Sequence, residues 1–464
     1  MRYEEKVRKA LRLIPRLGVF MRGWRFRSPH LRKTGYREFS FEDGCWTDRR
    51  RLLKKEEIRS FVEISLRAAY CPMPINLDVY DGLVCPYGCI YCFANYFRYS
   101  LYTSFFDNWK EVGIRHCNPE FLKRHLGRLF ERALGKDPAG LKGLEKAIAW
   151  RIPLRFGIRF EDFLGVEKRR RVALETMKFL NSWDYPYMIN TKSALLGEDP
   201  EYLRVLSEGK AAVHLTLITH REELRKRLEP NAPSVDRRLR AARNLVEAGV
   251  RVVARMEPFI VGMTDEDARG YFSLLREVGI KNITLDTYSY SAVGTQVREL
   301  FFRKGLDLDK IQLLNCDSQP LASYWLGEFM EEARREGFSC STFDMGNVPD
   351  NDQNICCEVE DWFTGSTFNW GSTVGAIRFV KMKRGKPCRW KDFVEWVEEK
   401  CGGFLTDKLQ EACKRSWNGE DAYGLVWAKG MEPVGLDEDG IVWRYSEELS
   451  DFRQVLVEGC SYEV

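Results

Sequence analysis

Three cysteines stand close together in the stretch Val84-Cys85-Pro86-Tyr87-Gly88-Cys89-Ile90-Tyr91-Cys92-Phe93, separated by three and then two residues. Pro86 and Gly88 keep this backbone out of a regular helix, so the loop can wrap and turn its thiols toward one centre. Thiolates are the ligands that iron–sulfur clusters prefer, and a cubane cluster is ordinarily held by four of them. Three in one tight loop would leave one iron without a protein ligand. An open metal position is where a small molecule binds and reacts. Tyr91, one residue before the third cysteine, can set an aromatic ring beside that position. Zinc would use the same thiols, but it wants a fourth Cys or His from a second knuckle, and none is obvious nearby. Disulfides are not expected, because no secretion signal accompanies the cysteines.

The elements that must carry this loop show in the periodicity of the chain. A strand-like run, 75–80, leads into it, and from residue 150 strands and helices alternate. Strands are expected at Ile152–Arg159, Tyr185–Asn190, Ala211–Ile218, Val250–Glu257 and Ile280–Asp286. Helices are expected at Val166–Trp183, Pro200–Glu208, His220–Leu228, Val235–Ala248 and Asp265–Val278, with caps such as Ser234 and Thr264 and terminal glycines at 209, 249 and 279. This alternation predicts an α/β fold with a parallel sheet and right-handed crossovers. Six β/α units fall short of a closed eight-stranded barrel, and a partial barrel is what the family resemblance given below implies. In such folds, functional side chains lie at the C-terminal ends of the strands. Polar groups gather there: Arg159 to Asp162, Asn190 to Ser193, His214 to Thr216, Arg255 to Pro258 and Asp286 to Tyr288.

Between the loop and the first helix of this series, 93–150 forms a long insertion, aromatic-rich at first. A helix then starts at Asn118-Pro119-Glu120, with an apolar spacing of Phe121, Leu122, Leu126 and Leu129. The insertion suits a lid or one wall of a substrate pocket. The 464 residues divide into a basic N-terminal extension (1–70), the partial barrel (71–300) and a C-terminal α+β domain (301–464). Hydrophobic residues make up 44% and charged residues 30%, as in an ordinary globular protein, and no apolar run is long enough for a membrane span. Fourteen cysteines without a secretion signal point to a reducing cytoplasm and metal chemistry. Net charge is only +5 but is concentrated near the start, where Arg22, Arg25, Arg27, Arg32, Lys33 and Arg37 interleave with Trp24, Phe26, Tyr36 and Phe39. Such a segment suits a phosphate backbone with stacked bases, or packs its aromatics on the barrel as a solvated surface.

The string Cys85-x-x-x-Cys89-x-Tyr91-Cys92 resembles the cluster motif of the radical S-adenosylmethionine (SAM) superfamily. Thr191-Lys192-Ser193, Leu228-Glu229-Pro230-Asn231-Ala232-Pro233-Ser234 and Arg255-Met256-Glu257-Pro258 resemble its spore photoproduct lyase-like branch, over roughly residues 70–290. The resemblance implies a 4Fe–4S cluster on Cys85, Cys89 and Cys92, with SAM chelated at the open iron and cleaved reductively to a 5′-deoxyadenosyl radical. It implies Tyr91 near the adenine, Lys192 and Thr216 on the SAM carboxylate, and Asp162 toward the SAM amino and ribose side. It also implies an electron donor such as a ferredoxin or flavodoxin. A cation for the carboxylate and an acceptor for the ammonium are what a zwitterionic amino acid needs. Glu161, Glu167, Glu229 and Arg237 are expected in ion pairs at the rim, while Glu257 could serve substrate or structure. Photoproduct lyases carry a hydrogen-donating cysteine just before the acidic turn after the second strand. Here Arg159, Phe160 and Glu161 occupy that place, so photoproduct repair by that route is not implied.

The expected substrate is a nucleic acid, with a peptide or small metabolite as the alternative. A different class, a zinc-stabilised nucleic-acid-binding protein, would use the same cysteines and the same basic segment. Past residue 300 the alternation stops in the sequence pattern. Leu321–Glu336 reads as an amphipathic helix, Gly375–Met382 as a strand and Lys391–Lys400 as a helix. Cys316, Cys340, Cys356 and Cys357 are candidates for an auxiliary metal site or a second iron–sulfur cluster.

Overall fold

The computed structural model describes residues 62–64, 70–82, 85–92, 94, 114–260, 262–287, 319–344, 347–348, 357, 368–420, 425, 428 and 430–447. The basic segment around Arg22, Arg25 and Arg27, the aromatic part of the insertion (95–113), Cys316 and Cys356 lie outside the described residues.

An open sheet forms the frame. Its strands are β1 (Glu63–Ile64), β2 (Ile75–Leu77), β5 (Leu154–Phe156), β6 (Tyr187–Thr191), β7 (Ala211–Thr216), β8 (Arg251–Phe259), β9 (Asn282–Thr287) and β10 (Ser339–Thr342), neighbours in that order. β1 joins β2 antiparallel, and every other pair in this sheet is parallel. A small antiparallel pair, β3 (Tyr80–Asp81) and β4 (Arg115–His116), flanks the start of the cysteine loop. The sequential order of the parallel strands is the β/α arrangement the alternation predicts, and the sheet stays open rather than closing on itself.

Local chemistry explains where the helices start. In α1 (Pro119–Ala133) the Asn118 side chain accepts from the amides of Glu120 and Phe121, and Pro119 sits where its missing N–H costs nothing. Leu122, Leu126 and Leu129 are buried, but Phe121 is exposed, so the apolar stripe is narrower than the sequence spacing suggests. The long helix expected at Val166–Trp183 breaks at Arg171, whose backbone is left-handed (φ 54°), and α2 (Val172–Ser182) begins after it. The helices α3 (Pro200–Glu208), α4 (Glu222–Leu228) and α5 (Val235–Glu247) match the expected spans closely. Ser234 caps α5 by accepting from the Arg237 amide. Before α6 (Ala268–Glu277) the cap is Asp267; Thr264 instead accepts from the Ile260 amide and staples the preceding turn.

The alternation continues one unit beyond the expected end at residue 300. Helix α7 (Gln319–Arg335) returns the chain to β10, which pairs with β9 from Ser339 to Thr342. Farther along, the chain is α-helical where a strand was expected: α8 spans Thr373–Met382, capped by Ser372, and nearly every residue in it is buried. It packs with α9 (Trp390–Cys401), α10 (Asp407–Trp417) and the hairpin β11 (Met431–Asp437) and β12 (Gly440–Tyr445). Phe393 stacks on Trp417 and Trp390 meets Trp417 edge-on, so the tryptophans of this region form its core. The apolar residues of this part and of the sheet form one continuous core, and the Asn369 amide bonds to the Pro72 carbonyl just before β2.

The parallel register places two different faces on the strands. Leu77, Phe156, Ile189, Val213, Val252 and their neighbours line up on one face, as do Leu215, Ala254, Ile283 and Cys340 in the next row. Asn76 and Arg155, then Asn190 and His214, then Thr216, Arg255, Thr284 and Ser341 line up on the other. The strand bodies are therefore not apolar throughout. One face is polar although most of it is buried.

Candidate functional site

The cysteine loop is built as a series of turns whose carbonyls and amides are tied to distant strands. Gly88 has a left-handed backbone (φ 60°), the conformation glycine adopts without strain, and its amide bonds to the Cys85 carbonyl at 3.1 Å. The Ile90 amide donates to the Leu228 carbonyl at 3.0 Å, and the Asn231 amide to the Tyr87 carbonyl at 3.2 Å. Asn231 Nδ2 donates to the Pro86 carbonyl at 2.9 Å. Thus the segment Leu228–Ser234, after β7, is the cradle in which the cysteine loop sits. The Tyr87 hydroxyl bonds to Ser193, which ties the loop to the end of β6 as well.

Cys89 is buried, while Cys85 and Cys92 are half-buried. Among the described residues no three Cys, His, Asp or Glu side chains already stand as a closed ligand set. The three thiols do lie within electrostatic reach of one another. Burial pushes the Cys89 thiol up, against the pull of Lys192, the cation that most favours its thiolate. Lys192 Nζ lies 5.5 Å from the Tyr91 ring centroid. Burial works against its ammonium, yet Cys89, Glu229 and Cys92 outweigh that and hold its pKa above the ordinary lysine value.

Behind Tyr91 is a buried ionic network. The Tyr91 hydroxyl donates to Glu229. Arg238, brought in by α5, donates to the other Glu229 oxygen at 2.5 Å, to the Thr216 carbonyl at 2.7 Å and to the Pro233 carbonyl at 3.0 Å. Burial pushes the Glu229 carboxyl up, but Arg238 and Lys192 more than reverse this and hold it below the usual range. Arg225 Nη1 donates to the Glu229 and Ala232 carbonyls at 2.7 and 3.0 Å, fixing the turn that presents Glu229.

Cys85, Cys89, Cys92, Tyr91 and Lys192 are thus brought together at one end of the sheet. Thr216 ends β7 there, buried, with its carbonyl engaged by Arg238. Asp162 corrects the expectation. Its Oδ1 accepts from the Val79 and Tyr80 amides at 3.1 and 3.0 Å, and its Oδ2 from the Gly157 amide at 3.0 Å. Its oxygens clamp the exits of β2 and β5 rather than face a ligand. Gly157 itself is required, since a Cβ there would meet the Asn190 carbonyl at 2.1 Å.

The expected rim pairs are also redrawn. Glu161 accepts from Thr191 Oγ1 at 2.6 Å and the Lys192 amide at 2.9 Å, so it shapes the turn that carries Lys192. Glu167 takes the hydroxyls of Tyr80 and Tyr202 in the core. Glu229 pairs with Arg238 in the interior, and Arg237 pairs with Glu198 outside. Glu257 is bound by Arg255 and by Thr284 Oγ1 at 3.3 Å.

The auxiliary set does not assemble from its described members. Cys340 lies on the apolar face of β10, within reach of Tyr271 on α6. Cys357 lies at the polar face, where its backbone bonds to His214. The sheet separates the two, so they cannot ligate one centre.

His214 was read from the sequence only as one of the polar groups at a strand end, with no role of its own. It is buried on β7, and burial, then Arg255, Arg155 and Arg251, push its pKa down to about 3. The signal available was the spacing of Arg251 and Arg255, four apart on one strand and hence on one face. A neutral buried imidazole makes stability pH-dependent. An unfolded histidine has a pKa of about 6.5, so between about 3 and 6.5 the unfolded chain holds a proton that the folded one lacks. Stability should therefore fall as pH drops through that window, by up to about 1.4 kcal/mol per pH unit for this group. Urea titrations at several pH values should show the slope reduced in His214→Gln; an equal slope in both proteins would remove His214 as its source.

No protein-family model matches the chain, and no curated protein does. Among solved structures, a spore photoproduct lyase complexed with dinucleoside spore photoproduct is similar at 16% identity, over 62% of this chain and 80% of that one, with a TM-score of 0.44. Streptococcus suis SuiB bound to S-adenosylmethionine is similar at 12% identity, over 62% of this chain and 53% of that one, with a TM-score of 0.36. At such likeness the role of each side chain rests on this chain's own geometry.

Proposed function

We propose that the chain is a radical SAM enzyme, holding a 4Fe–4S cluster on Cys85, Cys89 and Cys92 and SAM at the iron these thiols leave open. The observation that supports this most is the half-buried Lys192 ammonium, within electrostatic reach of Cys89 and Cys92 and over the Tyr91 ring. Three thiols in one loop match the donor chemistry of such a cluster. When bound and reduced, the cluster and SAM supply a 5′-deoxyadenosyl radical that takes hydrogen from a substrate. The protein's part is to bind, orient and exclude water. Cys89 sits deepest, Lys192 offers a cation for a carboxylate, and Glu229 holds Tyr91 by its hydroxyl so that the ring keeps its place. A small electron-transfer protein such as a ferredoxin or flavodoxin would supply the electron.

The direct test is anaerobic reconstitution with iron and sulfide, reduction with dithionite and measurement of 5′-deoxyadenosine and methionine from SAM. A colourless protein with stoichiometric zinc would sink the reading. Lys192→Ala is expected to weaken SAM binding by about 1–3 kcal/mol, the scale of a lost charged hydrogen bond. Calorimetry showing undiminished affinity would return Lys192 to a purely structural role.

For the substrate, the basic aromatic segment near the start favours a nucleic acid. Oligonucleotide affinity should then fall steeply with salt, and removing Arg22, Arg25 and Arg27 together should flatten that slope. Salt-insensitive or absent binding would favour a peptide or small metabolite.

A further inference from the structure

The polar face of the sheet carries cations that the proposed cofactor site leaves unassigned. Along one row of the register, Arg155 on β5, Met188 on β6, Ala212 on β7 and Arg251 on β8 stand side by side. Ala212 contributes only a methyl group to this row. In the next row on the same face stands His214, paired with Val253 on β8, with Arg251 and Arg255 two residues to either side of Val253. Diagonal neighbours of this kind lie about 7–8 Å apart, within reach of long side chains.

His214 is 1% exposed and its Nε2 has no partner among the described residues, although its ring is anchored to the backbone of Cys357. Ser341, on the same face and fully buried, has an Oγ without a partner among the described residues. A buried imidazole nitrogen without a hydrogen bond costs stability, so its retention points to a ligand. The strongest charges acting on the ring are all cationic: Arg255, Arg155 and Arg251. Arg155 is bonded to the neutral Asn76, at 3.2 and 3.1 Å, and Arg255 is paired with Glu257. Guanidinium groups converging on a buried face recognise planar or tetrahedral oxyanions through paired N–H donors.

We propose that this face is a subsite for an anionic group of the substrate, a phosphate or a carboxylate, held by Arg155, Arg251 and Arg255 beside the His214 imidazole, whose Nε2 accepts a hydrogen bond from the group's own O–H or from a water bound to it. Only the word substrate rests on the radical SAM reading; the anion site itself does not.

The test uses the full reconstituted chain with SAM added and no reductant, so that no radical forms and the open iron and Lys192 are already occupied. Inorganic phosphate is followed by phosphorus NMR line width and acetate by carbon NMR line width as protein is added. At least one probe is expected to broaden, and excess of that anion, but not neutral glycerol, should reverse it. Broadening of phosphate alone assigns a phosphate group, and broadening of acetate alone a carboxylate. Arg155→Gln and His214→Phe should each weaken the effect by about tenfold or more, and Arg251→Lys, which keeps the charge but loses the paired N–H donors, should weaken it as well. Thermal unfolding identifies any variant that has not folded, and the wild-type arm decides the matter without it. If wild-type protein leaves both lines unchanged, or if folded variants broaden them as the wild type does, the subsite is overturned.

Discussion

Replacing Cys89 by alanine is expected to abolish cluster binding and 5′-deoxyadenosine formation while leaving the fold intact. Cys89 is the most deeply buried of the three thiols and the one nearest the Lys192 charge in effect. Losing one of only three protein ligands leaves two irons without a thiolate, and no other cysteine among the described residues stands in the loop's cradle to replace it. The loop contributes no strand to the sheet, so the core should persist. Iron and sulfide content, visible absorption and far-UV circular dichroism read the two halves of this expectation separately. A Cys89→Ala protein that still yields 5′-deoxyadenosine under dithionite would overturn the ligand assignment.

The second large effect concerns stability. Arg238 and Glu229 form an ion pair whose side chains are 1% and 0% exposed. Removing one member leaves an uncompensated charge in the interior, which costs about 3–5 kcal/mol. Glu229→Ala should therefore lower the urea midpoint sharply, and it also strips the Tyr91 hydroxyl and Lys192 of their shared acceptor and counter-charge. Arg238→Ala should do likewise, since the Thr216 and Pro233 carbonyls lose their donor too. The double replacement Glu229→Gln with Arg238→Met should recover part of the loss, because it removes both charges together. Single variants as stable as the wild type would show that the pair is not shielded from water as described.

Much of this arrangement could be read from the chain. Caps such as Asn118 and Ser234 and the alternation after residue 150 located the helices and parallel strands, because local hydrogen bonding decides those boundaries. The segment Thr373–Met382 deceived because an apolar run buried on all sides carries no period to separate helix from strand. Nothing in the sequence marked Ser339–Thr342 as a strand, because Ser339, Ser341 and Thr342 surround Cys340 and a strand with one polar buried face lacks the usual apolar signature. In the site, the cysteines and Tyr91 stood out by their spacing, and Lys192 only by the resemblance of Thr191-Lys192-Ser193 to a known branch. Asp162 was not, since three backbone amides from two distant segments claim it. Nor was the pairing of Glu229 with Arg238, which requires α5 to pack beside β7.

The cysteine loop takes its shape from carbonyls and amides more than a hundred residues downstream, at Leu228 and Asn231. Its mould is complete only when β7, α4 and the start of α5 are in place. Metal therefore cannot be the nucleus around which this chain condenses, in contrast with small zinc domains that stay unfolded until loaded. On the proposed function, iron would arrive at a finished receptacle, since the contacts that shape it join segments more than a hundred residues apart. Delivery of iron and sulfide would then follow folding, and an empty but folded form is the species a cluster-donating machinery would meet.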